Sequence, residues 1–210
     1  FEDEVMAFTF AGPIIKDRLF FFVGYEENTT SLPGLYGTVD SSAQIKGETV
    51  TTALANEIRQ YTIDNYGGYD AGYINLVTFD ETHEEWTVKL DAVINDDHRA
   101  TLNLSHSEDL TPQRYNYGET VFSNNWYYKP PEIDRASFTL YSDWSDRLST
   151  KFKYTTYEME EDDASYGDDF FPEMNIRIGG DNVFLGGDRY RGANLINVES
   201  EFLTFKADYD

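Results

Sequence analysis

Carboxylates are the most abundant groups in this chain that could do chemistry, because its 210 residues include 39 Asp and Glu against 16 Lys and Arg, a formal net charge of −23. The run Glu158–Asp163 and the pair Asp168-Asp169 could supply some of the six to eight oxygen ligands that Ca²⁺ takes. Gly179-Gly180-Asp181 and Gly186-Gly187-Asp188 have the composition of calcium-binding repeats, but their offset of seven residues differs from a nine-residue repeat. We therefore predict solvated acidic loops and no resident cofactor, with Ca²⁺ at these loops as the open alternative.

Catalytic constellations are not indicated by the sequence. His83, His98 and His106 lie far apart and belong to no His-Glu-x-x-His motif, the chain has no Cys, and no Ser stands in a Gly-x-Ser-x-Gly turn. Carboxylate pairs are so frequent that none can be singled out as a general acid and base. The negative charge also repels nucleic-acid phosphates. We predict neither an enzyme nor a nucleic-acid-binding protein.

Aromatic side chains in one long polar segment are the candidates for ligand recognition. They are Tyr115, Tyr117, Trp126, Tyr127 and Tyr128. Such rings could stack on sugars or clamp a peptide. Alternatively, Trp and Tyr at strand ends anchor a protein at a membrane interface. Both interpretations remain open for 126–128.

The elements that must position these residues are strands, and the clearest are in Glu84–Ser107. Apolar residues alternate with mostly polar ones on both sides of a turn at Asn95–His98, which predicts a long hairpin. Each strand has about ten residues, the length of a tilted membrane-spanning strand. Soluble strands are shorter on average but reach this length, so a soluble sandwich is the alternative.

The same alternation predicts five further strands and one helix. The strands are Val5–Phe10, Leu19–Glu27, Asp134–Trp144, Leu148–Met159 and Glu201–Tyr209. Ala11-Gly12-Pro13 is expected to break the first strand, and the helical spacing of 49–66, followed by Gly67-Gly68, predicts a short helix in a loop. The run Phe20–Phe22 makes both faces of the second strand apolar.

The predicted connections alternate in length. They are short at 11–18, 95–98 and 145–147, and long at 28–82, 109–133 and 160–200. Outer-membrane barrels have short periplasmic turns and long extracellular loops in this alternation. The alternation therefore favours an antiparallel transmembrane β-barrel segment of about seven long strands. In that arrangement the charged strand residues should face the lumen; they are Lys89, Asp91, Lys151, Lys153 and Lys206.

Two segments resemble a known family. AGPIIKDRLFFFVGYEE, residues 11–27, is similar to the first complete barrel hairpin of Oar-like TonB-dependent outer-membrane receptors, with Ala11 where the first Gly of a Gly-Gly-Pro-Ile pattern usually stands. WTVKLDAVINDDHRATLNLS, residues 86–105, is similar to the family's next hairpin. Together the two segments cover roughly 40 residues closely, and the rest of the chain matches only by pattern.

The resemblance implies a substrate importer in the outer membrane of a Gram-negative bacterium, with a plug inside a barrel of about 22 strands. Residues 1–210 would be the N-terminal part of that barrel, a fragment without the plug and the remaining strands. The implied partners are outer-membrane lipid, the TonB energy-transducing complex through the missing plug, and a surface lipoprotein or other protein. The alternatives are a secreted soluble β-sandwich that binds glycan or calcium, and a receptor-like barrel serving as a structural or secretion partner.

Overall fold

The computed structural model describes residues 2–32, 34–75, 78–113, 120–167, 171–187 and 195–209. The described elements, in chain order, are β1 (Glu2–Ile15), β2 (Leu19–Leu32), β3 (Tyr36–Gly37), β4 (Ile45–Lys46), α1 (Thr52–Asn65), β5 (Phe79–Val93), β6 (His98–Gln113), β7 (Thr120–Val121), a 3₁₀ turn (Ser123–Asn125), β8 (Tyr127–Lys129), β9 (Pro131–Ser145), β10 (Leu148–Asp162), β11 (Ala164–Ser165), β12 (Met174–Ile178), β13 (Asp181–Leu185) and β14 (Leu195–Tyr209).

Seven strands of 14 to 16 residues form one antiparallel sheet in the order β1-β2-β5-β6-β9-β10-β14. The short strands β8 and β11 join it beside the end of β6. This confirms the prediction of an all-β, antiparallel chain with one helix. Over the described residues the sheet is open, and β1 and β14 are its two edges.

All seven predicted long strands are present, and each is longer than predicted. The expected break at Ala11-Gly12-Pro13 is wrong, since β1 continues to Ile15 with only a register shift after Pro13. An edge strand tolerates proline because one side of its backbone has no partner in the sheet. Five of the six connections are accordingly shorter than predicted. They are 16–18 and 146–147 on one side, and 33–78, 114–130 and 163–194 on the other, whereas the turn at 94–97 keeps its predicted length.

The short turns form from residues suited to tight reversal. Asp17 adopts a left-handed backbone conformation with φ of 59°, which Asp tolerates better than most residues. In the next hairpin, the Asn95 side-chain oxygen accepts hydrogen bonds from the backbone N–H of Asp97 at 3.0 Å and of His98 at 2.8 Å. These connections all lie at one end of the sheet because successive strands are antiparallel.

One face of the large sheet carries aligned apolar rows. Residues paired directly across antiparallel strands project to the same face. One row consists of Phe21, Leu90, Leu102, Phe138, Tyr154 and Leu203, and the next consists of Leu19, Ala92, Ala100, Leu140, Phe152 and Phe205. Phe138 is 38% exposed and Phe205 is 65% exposed. No layer formed by the described residues therefore covers this face, as the second sheet of a sandwich would.

The opposite face carries the charged strand residues. Lys89, Asp91, Lys151, Lys153 and Lys206 all stand on it. That this face lines a lumen stays a prediction. Lys89 Nζ lies 2.9 Å from Asp91 Oδ2, and Lys151 is paired directly with Lys206. Phe20 and Phe22 also stand on this face, so β2 is apolar on both sides as its sequence suggested.

The apolar face changes character toward the long connections. Tyr25, Trp86 and His106 form an aromatic row above the apolar ones, and the Trp86 and His106 rings stack with their centroids 5.8 Å apart. Five glutamates then occupy one continuous cross-strand row, one on each of five adjacent strands. They are Glu27, Glu84, Glu108, Glu132 and Glu160. We call this the glutamate row. On β9, β10 and β14 charge begins nearer the short turns on the same face, at Asp134, Glu158, Glu199 and Glu201.

The predicted helix is confirmed as α1, shorter than the 49–66 segment. Thr51 is its N-cap and accepts a hydrogen bond from the Leu54 N–H at 3.2 Å. Gly67 and Gly68 end it with φ of 66° and 90°, values that a residue with a Cβ rarely adopts. Within the described part of the chain, no helix combines the length and the apolarity that crossing a membrane would require.

Candidate functional site: a cap built from the three long connections

The three long connections fold together into one small unit, which we call the cap: residues 34–75, 120–130, 163–167 and 171–187. It contains α1, the three-stranded sheet β12-β13-β7 and the pair β3-β4. Its buried core takes side chains from all three connections, and the members are Val50, Ala55, Tyr69, Ala71, Ile74, Phe122, Val183 and Leu185. Since no single connection supplies this core, the cap forms only when the three come together.

Asp181 joins the first connection to the third. Its carboxylate accepts hydrogen bonds from three consecutive backbone N–H groups, those of Glu48 at 2.7 Å, Thr49 at 2.9 Å and Val50 at 2.8 Å. Asp181 is 6% exposed. Burial acts to raise the pKa of its carboxyl, but the three donors outweigh it and hold the pKa below its ordinary value. The carboxylate is therefore ionised and fully engaged at neutral pH.

Two further polar contacts hold α1 in place. Arg59 donates from Nε and Nη2 to the two carboxylate oxygens of Asp70, at 2.6 and 2.5 Å. The hydrogen bond from Arg59 lowers the pKa of Asp70, and the guanidinium also lies 4.1 Å from the ring centroid of Tyr73. At the other end of the helix, Asp40 accepts a hydrogen bond from the Thr52 N–H at 2.8 Å, which favours a helix N-terminus.

A cleft of about 470 Å³ opens where the three connections meet. Tyr66, Tyr69 and Asp70 come from the first connection, Asn124 from the second and Phe171 from the third. The rings of Tyr66 and Phe171 are nearly perpendicular, at 81° with centroids 5.5 Å apart, and Phe171 stacks on the buried Tyr69 ring at 3.7 Å. We call this the cap cleft; sequence reasoning did not find it.

The aromatic residues predicted to bind ligand lie partly elsewhere. Tyr115 and Tyr117 are outside the described residues. Trp126 stacks on Phe79 with centroids 3.6 Å apart and planes 14° apart, and Tyr127 is buried in the pairing of β8 with β6 and β11.

Tyr128 belongs to the same cluster, with its ring centroid 5.4 Å from that of Tyr166. Burial and the neighbouring Tyr166 raise the pKa of the Tyr128 hydroxyl. The cluster therefore packs at the junction of the cap and the large sheet. Its role in ligand binding stays a prediction.

Two carboxylates of the acidic run Glu158–Asp163 contact a lysine of the second connection. Lys129 lies 3.1 Å from Glu161 and 3.8 Å from Asp163, and the hydrogen bond to Glu161 raises the pKa of Lys129. Gly179-Gly180 forms the tight turn between β12 and β13. Asp168, Asp169 and Asp188 are outside the described residues. Over the described ranges, no three His, Asp or Glu side chains are grouped so that they could hold a metal ion.

The three histidines stay apart, in keeping with the absence of a sequence motif. His83 Nδ1 lies 2.6 Å from Asp109, and His106 Nδ1 lies 3.0 Å from Asp134, in both cases across neighbouring strands. His98 begins β6 beside Trp144, with ring centroids 5.1 Å apart. Each histidine therefore has a local contact of its own, and no shared centre joins them.

The cap cleft could have been suspected from one local signal, the sequence Tyr66-Gly67-Gly68-Tyr69 directly after a helix. Two glycines there give the chain a tight reversal that leaves aromatic rings on either side of open space. Phe171 and Asn124 carry no such signal because they are distant in sequence.

The chain was also compared with known proteins. No family model matches it, and neither a curated protein nor a solved structure shows a significant similarity to it.

Proposed function

We propose that this chain is part of the wall of an outer-membrane β-barrel of the Oar-like TonB-dependent receptor type. The barrel imports a substrate, and the cap lies at its extracellular end. The observation that carries this proposal is the uncovered apolar face of seven long strands, bounded toward the long connections by aromatic and charged rows.

The height of the apolar face supports a membrane setting. Leu148 is paired with Tyr209 near the short turns, and Glu158 belongs to the aromatic row of Tyr25 and Trp86. Ten residues of β10 separate these rows, which at ~3.3 Å per residue is about 33 Å along the strand. With a strand tilt of ~45° the height is about 23 Å, close to the apolar band of roughly 25 Å around outer-membrane barrels.

The unpaired edges of the sheet also support a closed barrel. β1 and β14 each present 14 or 15 residues of backbone with a partner strand on only one side among the described residues. Unpaired strand edges attract other strands in water and are not tolerated in lipid. Pairing with further strands of a closed barrel satisfies both edges.

The polar face then lines the lumen, where the Lys89–Asp91 pair and the lysines of β10 and β14 meet water or a plug. The cap places a folded, concave unit over one end of that lumen. This arrangement suits a receptor that holds its substrate outside before import. Energy would come from the TonB complex through the plug.

The decisive experiment is membrane fractionation of the full-length gene product with two matched variants. Leu102→Arg puts a charge at mid-height on the apolar face, which costs roughly 2–4 kcal/mol in lipid and should reduce the amount assembled in the outer membrane. Thr101→Arg, one residue earlier on the polar face and paired with Asp91, should leave assembly unchanged.

Two outcomes would refute the proposal. Recovery of the wild-type protein in the soluble fraction would favour the sandwich instead. Equal sensitivity to arginine at both positions would show that the two faces do not meet different solvents.

A further inference from the structure

We propose that the cap cleft binds an alkylammonium group, either a free small cation or a cationic side chain of a peptide. This inference concerns a site on the cap and does not depend on the membrane assignment. Its test is a binding measurement, so it can fail while fractionation succeeds, or the reverse.

The ring geometry is the first argument. Tyr66 and Phe171 contact each other edge to face, at 81° with centroids 5.5 Å apart, and Tyr69 covers one face of Phe171 by stacking on it, so three rings cluster at the cleft. A cation is attracted to the electron-rich faces of aromatic rings, and several rings arranged around one point recognise quaternary ammonium groups. Tyr66 is 45% exposed, so its ring is accessible from outside.

The charge around the cleft is the second argument. Helix α1 ends at Tyr66 with its negative dipole end, and no basic residue stands in its last turn. Asp70 also lines the cleft, but its carboxylate is paired with the Arg59 guanidinium, so the negative potential comes from the helix end and the overall charge of the chain. The chain as a whole carries a formal charge of −23, which attracts cations over a distance and repels anions.

The available space is the third argument. A Cβ on Gly67 or Gly68 would meet no atom within 4 Å, so the rim of the cleft is open. The Asn124 side chain is already engaged, since it donates to the backbone oxygen of Asp70. A sugar needs several free hydrogen-bonding groups beside an aromatic ring, and the engaged Asp70 and Asn124 supply fewer of them. The geometry therefore favours a cation over a neutral glycan.

The experiment is isothermal titration calorimetry on the full-length protein with choline, and with its neutral isostere 3,3-dimethylbutan-1-ol. Choline should bind at least about tenfold more tightly than the isostere, because the two share a shape and differ in charge. A peptide containing trimethyllysine, titrated with and without choline, distinguishes the sources. Competition indicates a peptide side chain, whereas binding of choline alone indicates a free cation.

Three variants locate the binding. Tyr66→Leu should weaken choline binding by about fivefold or more by removing one aromatic face, whereas Tyr66→Phe should retain binding. Tyr209→Leu changes an exposed ring near the short turns of the large sheet, away from the cap, and should bind as wild type. Equal binding of choline and its isostere, an unaffected Tyr66→Leu protein, or binding of maltose in place of choline would each overturn the inference.

Discussion

Replacing Asp181 with alanine removes three charge-assisted hydrogen bonds at once, those to the N–H groups of Glu48, Thr49 and Val50. Each bond of this kind contributes roughly 1.5–3 kcal/mol, and an unsatisfied buried N–H costs a similar amount. The full sum is not reached, because the first connection can open locally and let water reach the amides. We expect the cap to lose about 3–5 kcal/mol of local stability.

The assay is native-state hydrogen exchange at residues 48–50. At 1.4 kcal/mol per factor of ten, the expected loss corresponds to roughly a 140- to 3,700-fold fall in protection. Amides in the middle of β5 and β6 should keep their protection, because the cap and the large sheet have separate cores. Asp64→Ala, on the exposed surface of α1, serves as the control and should stay within about 0.5 kcal/mol of wild type.

The same contact should respond to pH. The folded-state pKa of Asp181 is lower than the ordinary 3.8, so its stabilising contribution is complete above that value. As the pH falls below 3.8 and through the folded pKa, protonation should release residues 48–50, and in Asp181→Asn this step should be absent. Unchanged exchange in Asp181→Ala, or an equal loss of protection in the large sheet, would refute the role of Asp181 as the link between connections.

Three other changes test separate parts of the structure. Glu108→Gln removes the central charge of the glutamate row, where it is paired with Glu84 and Glu132. It should stabilise the sheet by about 0.2–1 kcal/mol in chemical denaturation, with a smaller gain at high salt; a loss of stability would contradict like-charge repulsion there. Arg59→Met breaks the two hydrogen bonds to Asp70 and should lower the stability of the cap by about 1–2 kcal/mol. Limited proteolysis should then cleave the cap faster than in wild type, and unchanged cleavage would contradict this. Phe122→Ala opens the shared core and should cost about 3–5 kcal/mol, detectable as selective proteolysis of the cap; loss of the whole fold would show that the cap is not separable.

The seven long strands and the helix could be predicted from the sequence because their signals are local. Alternation with a period of two is readable in Trp86, Val88 and Leu90 without knowledge of any partner strand. The signals for α1 are also local, since they are helical spacing of apolar residues and the pair Gly67-Gly68 directly after it. The lengths of the strands were underestimated because polar strand ends, such as the end of β6 at Gln113, look like loop until a neighbouring strand pairs with them.

The sequence by itself therefore determined which residues form strands, which face of each is apolar, and that long and short connections alternate. Strand register and the packing of distant segments determined the side-chain rows, the cap core and the cap cleft. Only strand pairing aligns Glu27, Glu84 and Glu108 into one row, and only packing of three distant connections brings Phe171 to Tyr66 and Asp181 to residues 48–50. The physical reason is that alternation is set by backbone geometry within one strand. Rows, the cap core and its cleft instead depend on contacts between segments that lie as much as 133 residues apart.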